Sequence, residues 1–215
     1  QQIVTIGSKI TEQSVTVQTV DIKPTQGAGS ILGINLANPA KYKQPYAFTL
    51  GEITLDINLK SLSKMNPIVI DALVIKNPQV FAELTSSGDS NFQDLLKAIE
   101  KNTHEGNTNS GAVESTESQE PKLSVNKIIL EGTELTVDLS AIGNKAHTVT
   151  IPSIQLQGIG GKDGLPASQL GSIIVKQALT EMWQQTKKVQ KDKLIDKTKQ
   201  SLKEKAQKKL ADLFK

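Results

Sequence analysis

Few residues in this chain have the types and spacing for chemistry. The two histidines are His104 and His147, and neither has a second histidine or a set of acids around it at metal-ligand spacing. The acid pairs Glu52/Asp56 and Asp89/Asp94 have the residue type for proton transfer. Asp56, however, alternates with apolar neighbours, which places it on the wet face of a strand as solvated charge. No serine stands in a nucleophile elbow with a histidine and an acid in order. The run Gly158-Ile159-Gly160-Gly161-Lys162-Asp163-Gly164 falls between a strand and a helix, where phosphate loops sit. A Walker loop needs glycine five positions before its Gly-Lys pair and serine or threonine after it, and Leu156 and Asp163 stand there instead. The pattern predicts a strand-to-helix turn whose amides could at most hold an anion at the helix start.

Composition points the same way. All 25 basic residues are lysine, and the 215 residues include no arginine and no cysteine. Thiol nucleophiles, cysteine-ligated zinc, iron–sulfur clusters and disulfides are thereby excluded. So are the bidentate arginine forks that read phosphate, carboxylate or guanine. Aromatics make up only 3% of the chain, so the core must be aliphatic. An enzyme and a resident cofactor are not expected. Nucleic acid is not an expected partner either, because arginine and interleaved aromatics are both missing.

The charge is unevenly placed. Residues 184–215 hold 11 lysines against 4 acids, a net +7, whereas residues 1–183 hold 14 lysines against 18 acids, a net −4. Within the basic segment, Leu194, Thr198, Leu202, Ala206, Leu210 and Leu213/Phe214 recur at spacings of four and three, the stripe of an amphipathic helix. Lys197, Lys203, Lys205 and Lys209 stand among the lysines that fill much of the rest. Leu194, Leu202, Leu210 and Phe214 with those four lysines form the candidate contact face. Such a helix can lie on a lipid or anionic membrane surface, dock on an envelope protein partner, or pack on its own sheet with the lysines solvated. The sequence leaves all three open.

The elements that would position these residues read as follows. Ile3, Ile6 and Ile10 have helical spacing interrupted by Gly7. From Val15 to Leu84 the text is β-like: a strand to Ile22, a turn at Gln26-Gly27-Ala28-Gly29, a return through Ile31 to Leu36, and a clear alternation at Ile53, Leu55, Ile57 and Leu59. Ile68–Ile75 and Val80–Leu84 read as a hairpin around Lys76-Asn77-Pro78-Gln79. Ser90 to Thr103 reads as a short helix with Ser90 or Asn91 as cap and Phe92, Leu95, Leu96 and Ile99 as its stripe. Residues 104–121 contain almost nothing that can be buried and are expected to be a disordered loop or linker. The stretch LSVNKIILEGTELTVDL then lies over IVIDALVIKNPQVFAEL, 55 residues earlier, without a gap. Eight of those seventeen positions are apolar in both, which makes a pattern repeat or two ordinary hairpins. One more strand runs from His147 to Leu156. Residues 172–215 lack glycine and proline, and a helical pattern of that length is expected to break near the polar stretch 184–193.

The run from Gly29 to Leu84 resembles the amino-terminal portion of AsmA-like proteins of Gram-negative envelopes. The resemblance rests on Leu32-Gly33-Ile34 leading to Asn38-Pro39, then Pro45, then Leu50-Gly51-Glu52-Ile53 opening a strand through Asp56 and Leu59. Ile68-Val69-Ile70, Pro78-Gln79-Val80 and the helix Asn91-Phe92-Gln93-Asp94-Leu95-Leu96 follow in order. It covers about residues 15–100, and more weakly 123–164 with its Gly-Gly loop. The resemblance implies a periplasm-facing, membrane-anchored envelope protein whose larger relatives are similar to bridge-like lipid transfer proteins. The chain departs from that family in its length, in lacking an anchor, and in its lysine-rich tail. No apolar run reaches the 18 residues of a membrane span, and the chain starts at Gln1-Gln2, so an anchor or signal is expected to be missing from it.

The expected fold is α+β: a twisted, mainly antiparallel sheet with a short middle helix and long C-terminal helices. Residues 1–164 would form the AsmA-like β-rich domain and 165–215 the lysine-rich amphipathic segment. The expected function is a non-enzymatic envelope protein that binds or helps transfer lipid. The alternative is a scaffolding subunit docking into a larger envelope complex through its C-terminal helix.

Overall fold

The structure, a computed structural model, describes residues 2–64, 66–104 and 121–213. The side chains of 2, 64, 103, 104, 168, 193, 194, 197, 198, 202 and 205–213 are outside that description. The fold is α+β, with one mostly antiparallel sheet and helices packed on it. Its strands are β1 (Val15–Thr16), β2 (Thr19–Lys23), β3 (Ala28–Ala37), β4 (Tyr46–Ile57), β5 (Ile68–Lys76), β6 (Gln79–Glu83), β7 (Lys122–Glu131), β8 (Thr133–Asp138), β9 (His147–Ile151), β10 (Ile154–Ile159) and β11 (Leu165–Pro166). Its helices are α1 (Gln2–Thr11), α2 (Leu59–Lys64), α3 (Asn91–His104) and α4 (Ala167–Leu213).

Most of these strands are halves of longer ones. β5 and β6 pair with β4 antiparallel and keep one register across their junction, Glu52 facing Lys76 and Thr49 facing Gln79. β7 and β8 run parallel to β5 and β6, Ile68 facing Leu123 and Glu83 facing Asp138. β10 and β9 fold back along β7 and β8, Ile154 facing Leu130 and Thr133 facing Ile151. β1 and β2 share one register on β3. The result is six long strands side by side in chain order, with α3 lying in the connection between the parallel neighbours β5–β6 and β7–β8.

The parallel step explains the pattern repeat. The two stretches that superpose at 55 residues are neighbours paired at that same spacing from end to end. They are not hairpins. Lys76-Asn77-Pro78-Gln79 does not reverse the chain; β6 continues in the direction of β5 along β4. What resembles a turn is a crease, and each long strand has one at the same level. Reading across the registers, Gln18 faces Gly33, Gly33 faces Gly51, Gly51 faces Asn77, Asn77 faces Gly132 and Gly132 faces Pro152. Gly33, Asn77 and Gly132 have left-handed φ values of 64°, 48° and 64°. The Asn77 amide donates to the Glu131 carbonyl at 2.8 Å and the Glu134 amide to the Pro78 carbonyl at 2.9 Å, so one kink nests in the next.

The crease reverses the alternation of faces. In a regular strand, residues three apart point to opposite sides. Here Ile31 and Ile34, Leu50 and Ile53, and Ile151 and Ile154 all join one core across the crease. A second irregularity lies six residues away, at the register shift beside Asp56/Ile57, where Asp71, Asn126 and Gly158 align. Ile70 and Leu73, Val125 and Ile128, and Leu156 and Ile159 repeat the spacing of three there. Bulges of this kind bend strands and strengthen their twist.

The core forms where helices meet this creased face. Ile53, Ile75, Leu130 and Ile154 make one ladder across four strands, and Leu55, Leu73, Ile128 and Leu156 the next. α3 buries Phe92, Leu95 and Ile99, as its stripe predicts, and Phe92 stacks on Phe48 with ring centroids 5.4 Å apart. Ser90 caps it reciprocally: its Oγ accepts from the Gln93 amide, and its own amide donates to Gln93 Oε1. α1 approaches β1 closely at Gly7, where a Cβ would stand 3.1 Å from Val15 Cγ2. That contact accounts for a glycine inside the helix.

Three further expectations are corrected. Leu59 does not end the alternating strand; it opens α2 and is exposed. The strand expected from His147 to Leu156 is two, divided at Pro152-Ser153 by the crease. The break expected near 184–193 is absent: α4 is one helix of 47 residues, about 70 Å long, where several terminal helices were expected. A polar stretch does not break a helix if its residues are good helix formers, and lysine and glutamine are. The loop expected over 104–121 lies, from 105 to 120, outside the described residues.

The crease makes two predictions. Gly132→Ala forces a Cβ onto Asn77 Oδ1 at a left-handed φ and should lower unfolding free energy by about 2–4 kcal/mol in urea titration, whereas Gly51→Ala, on the same line but facing open space, should stay within about 1 kcal/mol. Thr133, beside the crease, is fully buried and its hydroxyl has no hydrogen-bond partner. Thr133→Val should therefore raise stability by about 1 kcal/mol in the same titration.

Candidate functional site

The motif residues of the first β region meet in a polar latch. Asn38, in the loop between β3 and β4, and Asn91, at the start of α3, are 53 residues apart and both buried. Asn91 Nδ2 donates to Asn38 Oδ1 at 2.7 Å and to the Phe81 carbonyl at 2.7 Å, while its Oδ1 accepts the Glu83 amide at 3.0 Å. Asn38 Nδ2 donates to the carbonyls of Gln44 and Tyr46. The buried Glu83 carboxylate accepts the amides of Lys43 and Gln44. An asparagine amide, with two donors and an acceptor, suits this work because loop backbone groups in a core need partners of both kinds. The arrangement holds the Asn38–Tyr46 loop against β6 and α3.

Tyr42 continues the latch at its solvent edge. Its hydroxyl donates to Asp94 Oδ2 at 2.6 Å, and Lys41 Nζ reaches the same oxygen at 2.8 Å. Burial raises the Tyr42 hydroxyl well above the usual phenol range, and the Asp94 carboxylate beside it adds to the effect. Burial also pushes the Asp94 carboxyl up, but the hydrogen bonds from Lys41 and Tyr42 and the Lys41 charge outweigh it and hold the group below the usual carboxylate range.

The other sequence candidates are dispersed. Asp89 is engaged with Ser87 and Thr85 in the turn before α3, and it reaches Asp94's partners Lys41 and Tyr42 only through its charge. Glu52 pairs with Lys76 at 3.8 Å, and Asp56 is exposed. His147 lies on β9 opposite Val137, and the side chain of His104 is outside the described residues. Among the described residues, no three His, Asp or Glu side chains could share a metal ion. The Gly158–Gly164 run does not feed a helix directly. It leads into β11, whose Leu165 pairs with Leu123, before α4 begins at Ala167. A Cβ at Gly160 would stand 2.8 Å from the Leu123 carbonyl oxygen, so close backbone approach explains that glycine.

The C-terminal candidate face lies on α4. Leu170, Leu179, Met182 and Thr186 are buried, and Trp183 and Val189 pack against the core. Beyond them, all described side chains from Lys191 to Glu204 are exposed, Lys203 included. Leu194, Lys197, Leu202, Lys205, Lys209 and Leu210 are on the helical backbone with side chains outside the description, and Phe214 is outside it altogether. No described helix is long and apolar enough to cross a membrane.

One surface was not anticipated. The apolar face of the sheet continues past the core to the β2–β3 corner. Ile22 faces Gly29 and Gly29 faces Leu55, and the tips of both side chains close over that glycine. Leu59 lies over Gly27 in the same way. Val20, Ile22 and Leu59 are 48%, 42% and 51% exposed. Away from this corner the face is closed: Ala82 and Val137 are paired across neighbouring strands and buried. The two glycines were the available signal for the corner, since each removes a side chain from an otherwise aliphatic row.

No model of a known protein family matches this chain, and neither does any of the characterised proteins compared with it.

The latch predicts an acid dependence. Because the folded Asp94 carboxyl titrates below the ordinary value of 3.8, the unfolded chain takes up this proton first, and the contribution present above that value is lost as pH falls through the folded pKa. The stability gap between wild type and Asp94→Asn, followed by urea midpoint, should stay constant from about pH 7 to about pH 5 and narrow only as pH falls through and below the ordinary carboxyl value.

Proposed function

We propose that this is a non-enzymatic, periplasm-facing cell-envelope protein of the AsmA-like type that binds lipid on the open corner of its sheet. The observation that carries this reading is the apolar face running beyond its cover, with Val20, Ile22 and Leu59 exposed beside Leu55. Contiguous exposed apolar surface next to a core is unfavourable in water and marks a site that something apolar covers. The ordered resemblance over residues 15–100 supports the envelope setting. An acyl chain suits the corner because its lining is aliphatic, while Asp21 and Lys23 alternate onto the opposite face of β2 and pair with each other at 3.1 Å.

Native mass spectrometry of gently purified protein should show co-purifying acyl species. Ile22→Asp, at an exposed edge position where the fold can tolerate it, should lower the bound fraction about tenfold, the loss expected for removing one buried aliphatic contact. Protein free of lipid in every preparation, or an Ile22→Asp variant that carries as much lipid as wild type, would rule the reading out.

A further inference from the structure

We infer that the outer part of α4, from Lys191 onward, is a docking surface for an anionic phospholipid bilayer, separate from the lipid corner of the sheet. Within this helix the environment changes over one turn. Thr186 is fully buried, whereas Lys187 and Lys188 are exposed, and all described side chains from Lys191 to Glu204 are exposed. The helix itself continues to Leu213. The stretch from Lys191 to Leu213 is about 34 Å of backbone.

The exposed side has the composition of an interfacial helix. Ile195 is 41% exposed, an aliphatic side chain in the middle of a charged segment. Lys188, Lys191 and Lys199 stand seven and four residues before it and four after it, so all three share its side of the helix and all are exposed. Asp192 and Asp196 are the acids next to it, and they leave the segment 184–215 at +7.

Charge decides the occupant. The four acids of residues 105–120 account for all of the −4 in residues 1–183, so the rest of the body is neutral overall and offers the basic segment no net opposite charge. A protein partner would need anchors of the kind that dominate interfaces, tryptophan, tyrosine or arginine, and residues 184–213 contain none. A bilayer needs no such anchors. It sums many weak headgroup attractions, each about 1 kcal/mol per lysine near the surface, with shallow insertion of aliphatic side chains.

The test uses the full chain with phosphatidylcholine vesicles containing about 30% phosphatidylglycerol, in about 0.1 M salt, read by flotation. The protein should float with these vesicles, stay behind with pure phosphatidylcholine, and be released as salt rises to about 0.5 M. Lys191→Gln/Lys199→Gln/Lys203→Gln, which changes only exposed positions and retains helix formers, should bind about 100-fold more weakly with an unchanged circular dichroism spectrum. Equal binding to neutral vesicles, no binding to anionic ones, or full binding by the triple variant would overturn the inference. So would salt-sensitive self-association or capture of an acidic protein without flotation. Ile22→Asp should float like wild type, so failure of the lipid corner and failure of the docking helix are distinguishable.

Discussion

Six long strands must all change face at the same level, and the rest of the molecule depends on that constraint. Strand pairing is rigid in register, and a side chain displaced by one residue moves to the opposite face of the sheet. One kinked strand among straight neighbours would put half of its apolar residues in water. The molecule meets the requirement by aligning Gln18, Gly33, Gly51, Asn77, Gly132 and Pro152 in one row, three of them in the left-handed region. The parallel neighbours β5–β6 and β7–β8 carry their kinks 55 residues apart, the same spacing as their pairing. This is why two segments with a single identical residue share one apolar pattern.

The creased face then sets what the helices can cover. α3 and the first half of α4 close over β6, β7, β8 and β10, and Phe92, Leu95, Leu179 and Met182 complete that core. The Asn38–Asn91–Glu83 latch ties the β3–β4 loop to the same region with hydrogen bonds that satisfy buried backbone groups. Two surfaces remain outside this arrangement: the aliphatic corner at Ile22 and Leu59, and the lysine-rich outer length of α4. They lie on different elements and differ in chemistry. The first offers aliphatic area with little charge, and the second offers charge with isolated aliphatic side chains.

Local features were legible in the residues. Ser90 or Asn91 announced the start of α3, and Phe92, Leu95 and Ile99 announced the side it buries. Ile53, Leu55 and Ile57 announced a half-buried strand. Asn77-Pro78 misled because its turn-forming chemistry is the same whether the chain reverses or only kinks, and the difference lies in which strand it pairs with. Leu59 misled because it extends the alternation by one step, while Asn58 Oδ1 accepts the Ser61 amide and starts a helix there. The candidate face on α4 was readable as a stripe, but Ile195 was missed, since an isoleucine one position off a stripe is unremarkable until its exposure is seen.

By itself, then, the sequence determined composition-level facts and local ones: an aliphatic core, chemistry without thiol or guanidinium, a basic tail on an acidic body, and the caps and alternations of individual elements. These follow from residue types and short spacings, which act within a few residues along the chain. Only the tertiary structure decided that the 55-residue repeat is a parallel pairing, that the apparent turns form one crease, and that Asn38 and Asn91 share a hydrogen bond. Those outcomes depend on which strand lies beside which, and the entropy of closing such long loops is repaid only by contacts made across the whole sheet.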